Sequence, residues 1–126
     1  MTKNKRQIAI GVSTPRKVSQ EFIKAWKRAE KGLPPEQPIN RLEFADTITL
    51  FKFLSPRRFE LLQHLRTAGP LSIRKLAAEL QRDYKNVHTD VKDLLEVGLI
   101  EETADQLLDV PWDVIVSELP LLAKAT

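Results

Sequence analysis

The spacing of apolar residues in the centre of the chain predicts three consecutive amphipathic helices. Ser55 and Pro56 suit the N-cap and first turn of the first helix, which Gly69 ends. Ser72 caps the second helix, Asp83 caps the third, and residues 81–83 form the turn between them. The second and third helices each carry one apolar stripe at helical spacing: Ile73, Leu76, Ala77 and Leu80, then Val87, Val91, Leu94 and Leu95.

A β-hairpin is predicted directly after the third helix, which ends at Gly98. The segments LIEET and LLDVP have the length of short strands, and Ala104-Asp105-Gln106 forms a polar turn between them. The chain is therefore predicted to be mainly α with a small β wing, a winged helix-turn-helix over about residues 55–111. The apolar segment WDVIVSELPLLAKAT that follows fits either a further strand or a packing helix.

An N-terminal extension of one strand and one helix precedes this motif. Ile8, Ile10 and Val12 alternate as in a short strand, and a basic amphipathic helix follows over about residues 19–31. A Pro-rich linker leads to a second extended segment and a short apolar helix that Asp46 caps. The predicted domains are residues 1–40 for the strand, helix and linker, 41–118 for the winged helix, and 119–126 for a tail.

Composition narrows the class of protein. The chain of 126 residues has no cysteine, which excludes disulfides and thiolate metal sites. The only histidines, His64 and His88, stand outside any recognised metal spacing, and neither a nucleophile elbow nor a phosphate loop is present. We expect a cytoplasmic protein that is not an enzyme, has no cofactor or metal, and does not enter a membrane.

Charge is distributed unevenly along the chain. Residues 1–31 carry a net charge of +7 and residues 99–126 a net charge of −5, within an overall +3. This polarity suits phosphate at one end and a basic protein at the other, and it equally suits two solvated faces that keep the protein soluble.

The third helix is predicted to lie in the DNA major groove, as the second helix of a helix-turn-helix does. Opposite its apolar stripe, the residues predicted to contact bases are Lys85, Asn86, His88 and Thr89, because lysine, asparagine and threonine offer matching donors and acceptors. Four basic residues in the first turns of the first and second helices are predicted to contact phosphate, because helix N-termini attract anions: Arg57, Arg58, Arg74 and Lys75. Lys92, one turn further along the third helix, is also predicted to contact phosphate.

Two tryptophans lie outside the central motif. Trp26 and Trp112 fit packing positions, and each also suits a dimer or partner interface, where aromatic residues are enriched. The predicted interface is Phe22, Ile23, Trp26 and Trp112, in a homodimer that would bind paired half-sites.

Residues 42–118 also resemble a known family. The strings LEFADTITLFKFLSPRRFELLQHLR, LSIRKLAAELQRDYKNVHTDVKDLLEVGLIEE and VPWDVIVSEL are similar to the small predicted transcriptional regulators with MarR-like winged helices. Some members of that family act as antitoxins beside RelE- or ParE-like toxins. The resemblance implies a dimeric DNA-binding protein that represses its own operon. One departure from the pattern is the acidic wing, since wings that enter the minor groove tend to carry Arg or Lys at the tip.

The sequence thus predicts a transcriptional regulator that binds a specific double-stranded DNA sequence, and the resemblance implies a repressor that acts as an autoregulating antitoxin. The alternative is a winged-helix protein-interaction module that binds a toxin or another basic protein, with DNA binding secondary.

Overall fold

The computed structural model describes residues 6–35 and 40–121. Five helices and five strands follow one another there: β1 (Gln7–Val12), α1 (Pro15–Glu30), β2 (Arg41–Phe44), α2 (Thr47–Phe53), α3 (Pro56–Ala68), α4 (Ile73–Leu80), α5 (Tyr84–Glu96), β3 (Glu101–Glu102), β4 (Leu108–Asp109) and β5 (Val114–Glu118). None of the helices within these two ranges is long and apolar enough to cross a membrane.

The described residues form two compact units. The first contains Leu54–Val114 together with Arg6 and Gln7, and the second contains residues 8–35, 40–53 and 115–121. This division differs from the predicted domains, because residues 41–53 belong with the N-terminal strand and helix. The reason is a long-range one: β2 pairs in parallel with β1, with Ile10 opposite Leu42.

The first unit is a winged helix-turn-helix, as predicted. Helices α3, α4 and α5 surround a core whose fully buried side chains include Leu61, Leu65, Leu76 and Leu94. The antiparallel pair β3 and β4 forms the wing, and Leu71 bridges to Leu108 beside it. The wing is thereby connected to the segment that enters α4.

Local capping explains where the helices of this unit begin and end. The Ser55 hydroxyl accepts a hydrogen bond from the Arg58 amide at 3.3 Å, with Pro56 at the first helical position. Gly98, just after the C-cap of α5, has φ of 87°, a left-handed conformation that glycine adopts without steric cost. Both features were predicted from the sequence.

The second unit consists of a three-stranded sheet with α1 and α2. The strand order is β2-β1-β5, and Ile8, Ile10 and Val12 of the central strand are buried with Leu50 of α2. The alternatives for the apolar C-terminal segment are resolved here in favour of a strand, β5. Residues 1–5, 36–39 and 122–126 of the predicted extension, linker and tail lie outside the described residues.

Helix α1 begins four residues earlier than predicted. The Thr14 hydroxyl accepts a hydrogen bond from the Lys17 amide at 3.2 Å, and Pro15 occupies the first helical position. Threonine followed by proline is a start signal of the same kind as Ser55-Pro56. The apolar periodicity, which begins only at Val18, concealed it.

Candidate nucleic-acid interface

The helix-turn-helix is formed by α4, a three-residue turn and α5. The Ser72 hydroxyl accepts from the Lys75 amide at 3.1 Å, and the Asp83 carboxylate accepts from the Asn86 amide at 3.3 Å. Between the helices Gln81 has φ of 56°, which lets the chain reverse within the turn. The start of α5 is therefore fixed by interactions among neighbouring residues.

One face of α5 is polar and exposed, and the opposite face is buried. Val87 and Val91 are 0% and 1% exposed. The predicted DNA-facing residues of α5 all have exposed side chains: Lys85, Asn86, His88, Thr89 and Lys92. Their exposure agrees with the helical phase deduced from the sequence, and their contacts with bases and phosphate stay a prediction.

The hydroxyl of Thr89 has fewer hydrogen bonds to offer DNA than a free threonine hydroxyl has. Its hydroxyl donates a hydrogen bond to the Lys85 carbonyl oxygen at 3.2 Å, one helical turn earlier. With its proton engaged, the oxygen keeps only acceptor capacity. In this rotamer Thr89 can therefore accept from an adenine N6 or cytosine N4 amino group, or present its methyl to thymine.

Tyr84 is a candidate that sequence reasoning missed. It is the first residue of α5, half of its surface is exposed, and its ring lies 6.1 Å from that of His88. The signal was available, since an aromatic residue four positions before a histidine on a helix places the two rings together. Tyr84 and His88 form an exposed aromatic pair beside Lys85 and Asn86.

The candidate phosphate contacts divide into two groups. The Arg57 side chain is 62% exposed, and Arg74, Lys75 and Lys92 are exposed as well. Arg57 lies in the first turn of α3, and Arg74 and Lys75 lie in the first turn of α4. Helix N-terminal amides and exposed cationic side chains both attract anions there.

Arg58 departs from its predicted role. Its side chain is only 13% exposed and donates to the Asp90 carboxylate at 2.9 Å and to the Asp93 carboxylate at 2.6 Å. A guanidinium engaged with two carboxylates in this way is a structural group, so Arg58 is removed from the candidate phosphate contacts. The neighbouring Arg57 lies on the outside of the helix and keeps that role.

Asp90 is the buried centre of this ion network, which the sequence analysis did not anticipate. It is 2% exposed and lies on the apolar stripe of α5. Arg58 of α3 and Arg82 of the turn donate to it at 2.9 and 2.6 Å, and the Arg57 guanidinium lies 3.7 Å away. The carboxylate therefore joins α3, the turn and α5, the three parts that orient the candidate DNA-binding face.

The charges of this network stabilise one another. Burial raises the pKa of Asp90, but hydrogen bonds from Arg82 and Arg58 outweigh burial and lower that pKa below its usual value. Burial lowers the pKa of Arg58, and its bonds to Asp90 and Asp93 raise that pKa further than burial lowers it. Asp90 is thus held as a carboxylate throughout the physiological pH range.

The wing carries no Lys or Arg side chain that could contact DNA phosphate. Glu101 and Glu102 of β3 and Asp105 at the tip are exposed, and no Lys or Arg occurs between Leu99 and Ala123. The tip closes through a hydrogen bond from the Leu107 amide to the Thr103 hydroxyl at 3.1 Å. A duplex that contacts α5 would meet repulsion if this tip entered a groove.

His64 and His88 lie on different helices of the winged helix and have different partners. His64 is hydrogen-bonded to Glu79 at 2.6 Å, which joins α3 to α4, and His88 contacts Tyr84. Across residues 6–35 and 40–121, no cluster of three or more His, Cys, Asp or Glu side chains is arranged to hold a metal ion.

A family model described as HVO_A0114 matches residues 53–117, just over half of the chain. The chain belongs to the HVO_A0114 family. The match covers the whole winged helix, including the Asp90 network and the exposed face of α5. No curated protein matches the chain.

Among solved structures, this HVO_A0114 protein is similar to the multiple antibiotic-resistance repressor (MarR) from Listeria monocytogenes 4b F2365. The two are 17% identical with a TM-score of 0.44, over 77% of this chain and 64% of that chain. This chain thus spans less than two thirds of the length of that structure.

The predicted interface residues of this HVO_A0114 protein separate into two groups. Trp112 is only 9% exposed, its indole donates to the Gly98 carbonyl at 2.9 Å, and Arg6 lies over its ring at 4.9 Å. Trp112 is therefore a packing residue of the winged helix and is withdrawn from the predicted interface. Phe22, Ile23 and Trp26 are exposed by 66%, 50% and 60%.

Proposed function

We propose that this protein is a transcriptional regulator that binds a specific double-stranded DNA sequence through α5. The observation that carries the proposal is the exposed polar face of α5, which stands opposite a fully buried stripe in a helix-turn-helix. An exposed α5 of this kind fits the major groove, where an α-helix can reach base edges. Lys85, Asn86, His88 and Thr89 are the proposed base contacts.

Phosphate contacts are proposed for Arg57, Arg74, Lys75 and Lys92. These cations are exposed, and three of them lie in the first turns of α3 and α4. Such contacts fix the register of a protein on the duplex without selecting sequence. The acidic wing supports a mode of binding in which α5 enters the groove and the wing stays outside it.

The test is a selection of duplexes from a randomised pool, followed by measurement of affinity for the selected sequence and a scrambled one. Asn86→Ala is expected to reduce discrimination by about 1–3 kcal/mol, because a paired contact to a base is lost. Lys52→Ala is the matched control, since Lys52 is an exposed residue of α2 in the other unit. Unchanged sequence discrimination by Asn86→Ala would exclude it as a base contact.

A second candidate function is binding of a basic protein, such as a RelE- or ParE-like toxin, by the acidic C-terminal region. Residues 99–126 carry a net charge of −5, and Val116 and Leu119 are 49% and 38% exposed beside Glu118. A deletion from Trp112 onward would remove a buried side chain and one strand of a sheet, so it would disturb folding as well as binding. The test is co-purification with a basic protein encoded beside the gene, lost in Val116→Asp while the sheet stays folded.

A further inference from the structure

Helix α1 is attached to its own unit through its polar face. Lys17 donates to the Glu43 carboxylate at 3.1 Å, and Glu21 is paired with Arg41. Arg28 donates to a backbone carbonyl in the loop after α1 at 2.8 and 3.2 Å. At 100° per residue these three side chains share one side of the helix. The usual arrangement, with the apolar face inward and the charges outward, is therefore reversed.

The apolar face of α1 is directed to solvent. Val18, Phe22, Ile23 and Trp26 are exposed by 54%, 66%, 50% and 60%, and no residue of this helix is buried. The Phe22 and Trp26 rings lie 6.4 Å apart and line a groove with Ile23, Lys27 and Glu30. Single exposed apolar residues are common, but a contiguous stripe that includes two aromatic rings is typical of an interaction surface.

Exposed apolar residues are concentrated in the same unit. Of the twelve large hydrophobic side chains that the described residues expose, ten lie in the sheet-containing unit and only Phe59 and Tyr84 lie in the winged helix. The unit that lacks the candidate DNA-binding face is thus the one that presents surface for association.

We propose that α1 packs antiparallel against α1 of a second copy of this chain, around a two-fold axis near Phe22 and Ile23. A two-fold interface uses the same patch on both copies, so a self-complementary stripe is what it requires. The four exposed side chains offer roughly 400 Å² per copy, given that an aromatic side chain presents about 150–250 Å² when fully exposed. The stems of Lys27 and Glu30 add to this area and bring the total for two copies to about 1,000 Å², the size of a weak specific interface, so we expect a dimer that dissociates at micromolar concentrations.

The charges that flank the stripe favour the antiparallel direction. Arg16, Ile23, Lys27 and Glu30 lie along one edge of the stripe. When two such helices pair antiparallel about Ile23, Glu30 of each copy faces Arg16 of the other. A parallel pair would instead place Lys27 against Lys27 and Arg16 against Arg16, which costs free energy. The exposed stripe and its flanking charges therefore fit a second copy, and this inference does not depend on DNA binding.

Sedimentation equilibrium of the full chain over roughly 1 to 200 µM tests the proposal, with circular dichroism to confirm folding. Phe22→Asp is expected to raise the dimer dissociation constant by roughly 30-fold or more, as loss of a central aromatic contact does. Lys24→Asp is the matched control, because Lys24 is exposed on the polar side of the same helix and its replacement should leave the dimer intact.

A charge exchange tests the direction of pairing. Arg16→Glu and Glu30→Arg should each weaken the dimer, and the double variant should restore it because both pairs re-form with reversed signs. A monomer throughout the concentration range, or a dimer unaffected by Phe22→Asp, would overturn the proposed interface. A double variant weaker than both single variants would overturn the antiparallel register.

Discussion

Replacement of Asp90 by asparagine should separate the electrostatic contribution of the buried network from its packing contribution. Asparagine has nearly the same shape, so the core around α5 keeps its volume. It removes the negative charge that Arg58 and Arg82 neutralise at 2.9 and 2.6 Å, and it turns an amide donor toward one of those guanidinium groups. The guanidinium groups of Arg58 and Arg82 then remain partly buried without the negative charge of Asp90, although Arg58 keeps its bond to Asp93.

The expected cost is about 2–3 kcal/mol of unfolding free energy at pH 7. Breaking a fully buried pair typically costs about 3–5 kcal/mol. The lower figure follows because the Arg58 and Arg82 side chains are 13% and 18% exposed and regain some hydration. For a unit the size of the winged helix, this corresponds to a melting temperature lower by roughly 10 °C or more in differential scanning calorimetry.

The pH dependence of the unfolding free energy gives an independent check on the electrostatic contribution of Asp90. The pKa of Asp90 is lower in the folded than in the unfolded chain, where an aspartate carboxyl titrates at about 3.9. The stabilisation is thus fully present above that unfolded value and is lost as the pH falls through the folded pKa. The difference between the native protein and Asp90→Asn should therefore be complete at pH 7 and shrink at strongly acidic pH.

Asp93→Asn is the matched control for this experiment. Asp93 lies on the same helix and bonds to Arg58, but its side chain is 38% exposed, so its replacement should cost no more than about 1 kcal/mol. The electrostatic reasoning would be refuted if the two variants lost the same unfolding free energy. It would also be refuted if the difference in unfolding free energy between the native protein and Asp90→Asn stayed constant as the pH falls.

Three further predictions concern single residues. Arg57→Ala should weaken binding to all DNA sequences alike and lower the slope of log affinity against log salt by about one, measured by fluorescence anisotropy; an unchanged slope would exclude a phosphate contact. Trp112→Ala should cost about 3–5 kcal/mol in urea unfolding with the oligomeric state unchanged, and a selective loss of the dimer would contradict its assignment as a packing residue. Gly98→Ala should lower the free energy of unfolding by about 1–2 kcal/mol, because alanine is strained at a φ of 87° even though its Cβ would meet no atom within 4 Å. An unchanged thermal unfolding curve would contradict this.

The winged helix could be predicted from the sequence because its signals are local. Each cap lies within three residues of the amide it accepts from, as with Ser72 and Asp83, and the apolar stripes of α4 and α5 repeat at helical spacing. The exposed face of α5 follows from the same periodicity. These features depend on neighbours along the chain, so one sequence is enough to identify them.

The network around Asp90 could not be predicted in the same way. Arg58 and Asp90 are 32 residues apart, and two adjacent arginines at the start of α3 look equivalent in the sequence. Only the tertiary structure, which brings Asp90 and Asp93 of α5 to the start of α3, buries Arg58 and leaves Arg57 exposed. A charged residue on an apolar stripe, as Asp90 is, was the one available indication of a buried ion pair.

The reversed attachment of α1 was hidden for the same reason. Its amphipathic pattern indicates an apolar face that will be covered, but a pattern does not say by which chain. Glu43 and Arg41, which hold the polar face, lie on β2 beyond the Pro-rich linker. The sequence analysis named Phe22, Ile23 and Trp26 as an interface, and their exposure in the structure is the condition which that prediction requires.

The strand order β2-β1-β5 also has a consequence for the order in which the protein folds. The central strand β1 precedes the winged helix along the chain and its neighbour β5 follows it, so the winged helix is synthesised before the sheet can be completed. The winged helix consists mainly of one continuous segment with short connections, which favours rapid folding. During synthesis we therefore expect the helix-turn-helix to form first, while β1 still lacks β5 and exposes an unpaired strand edge.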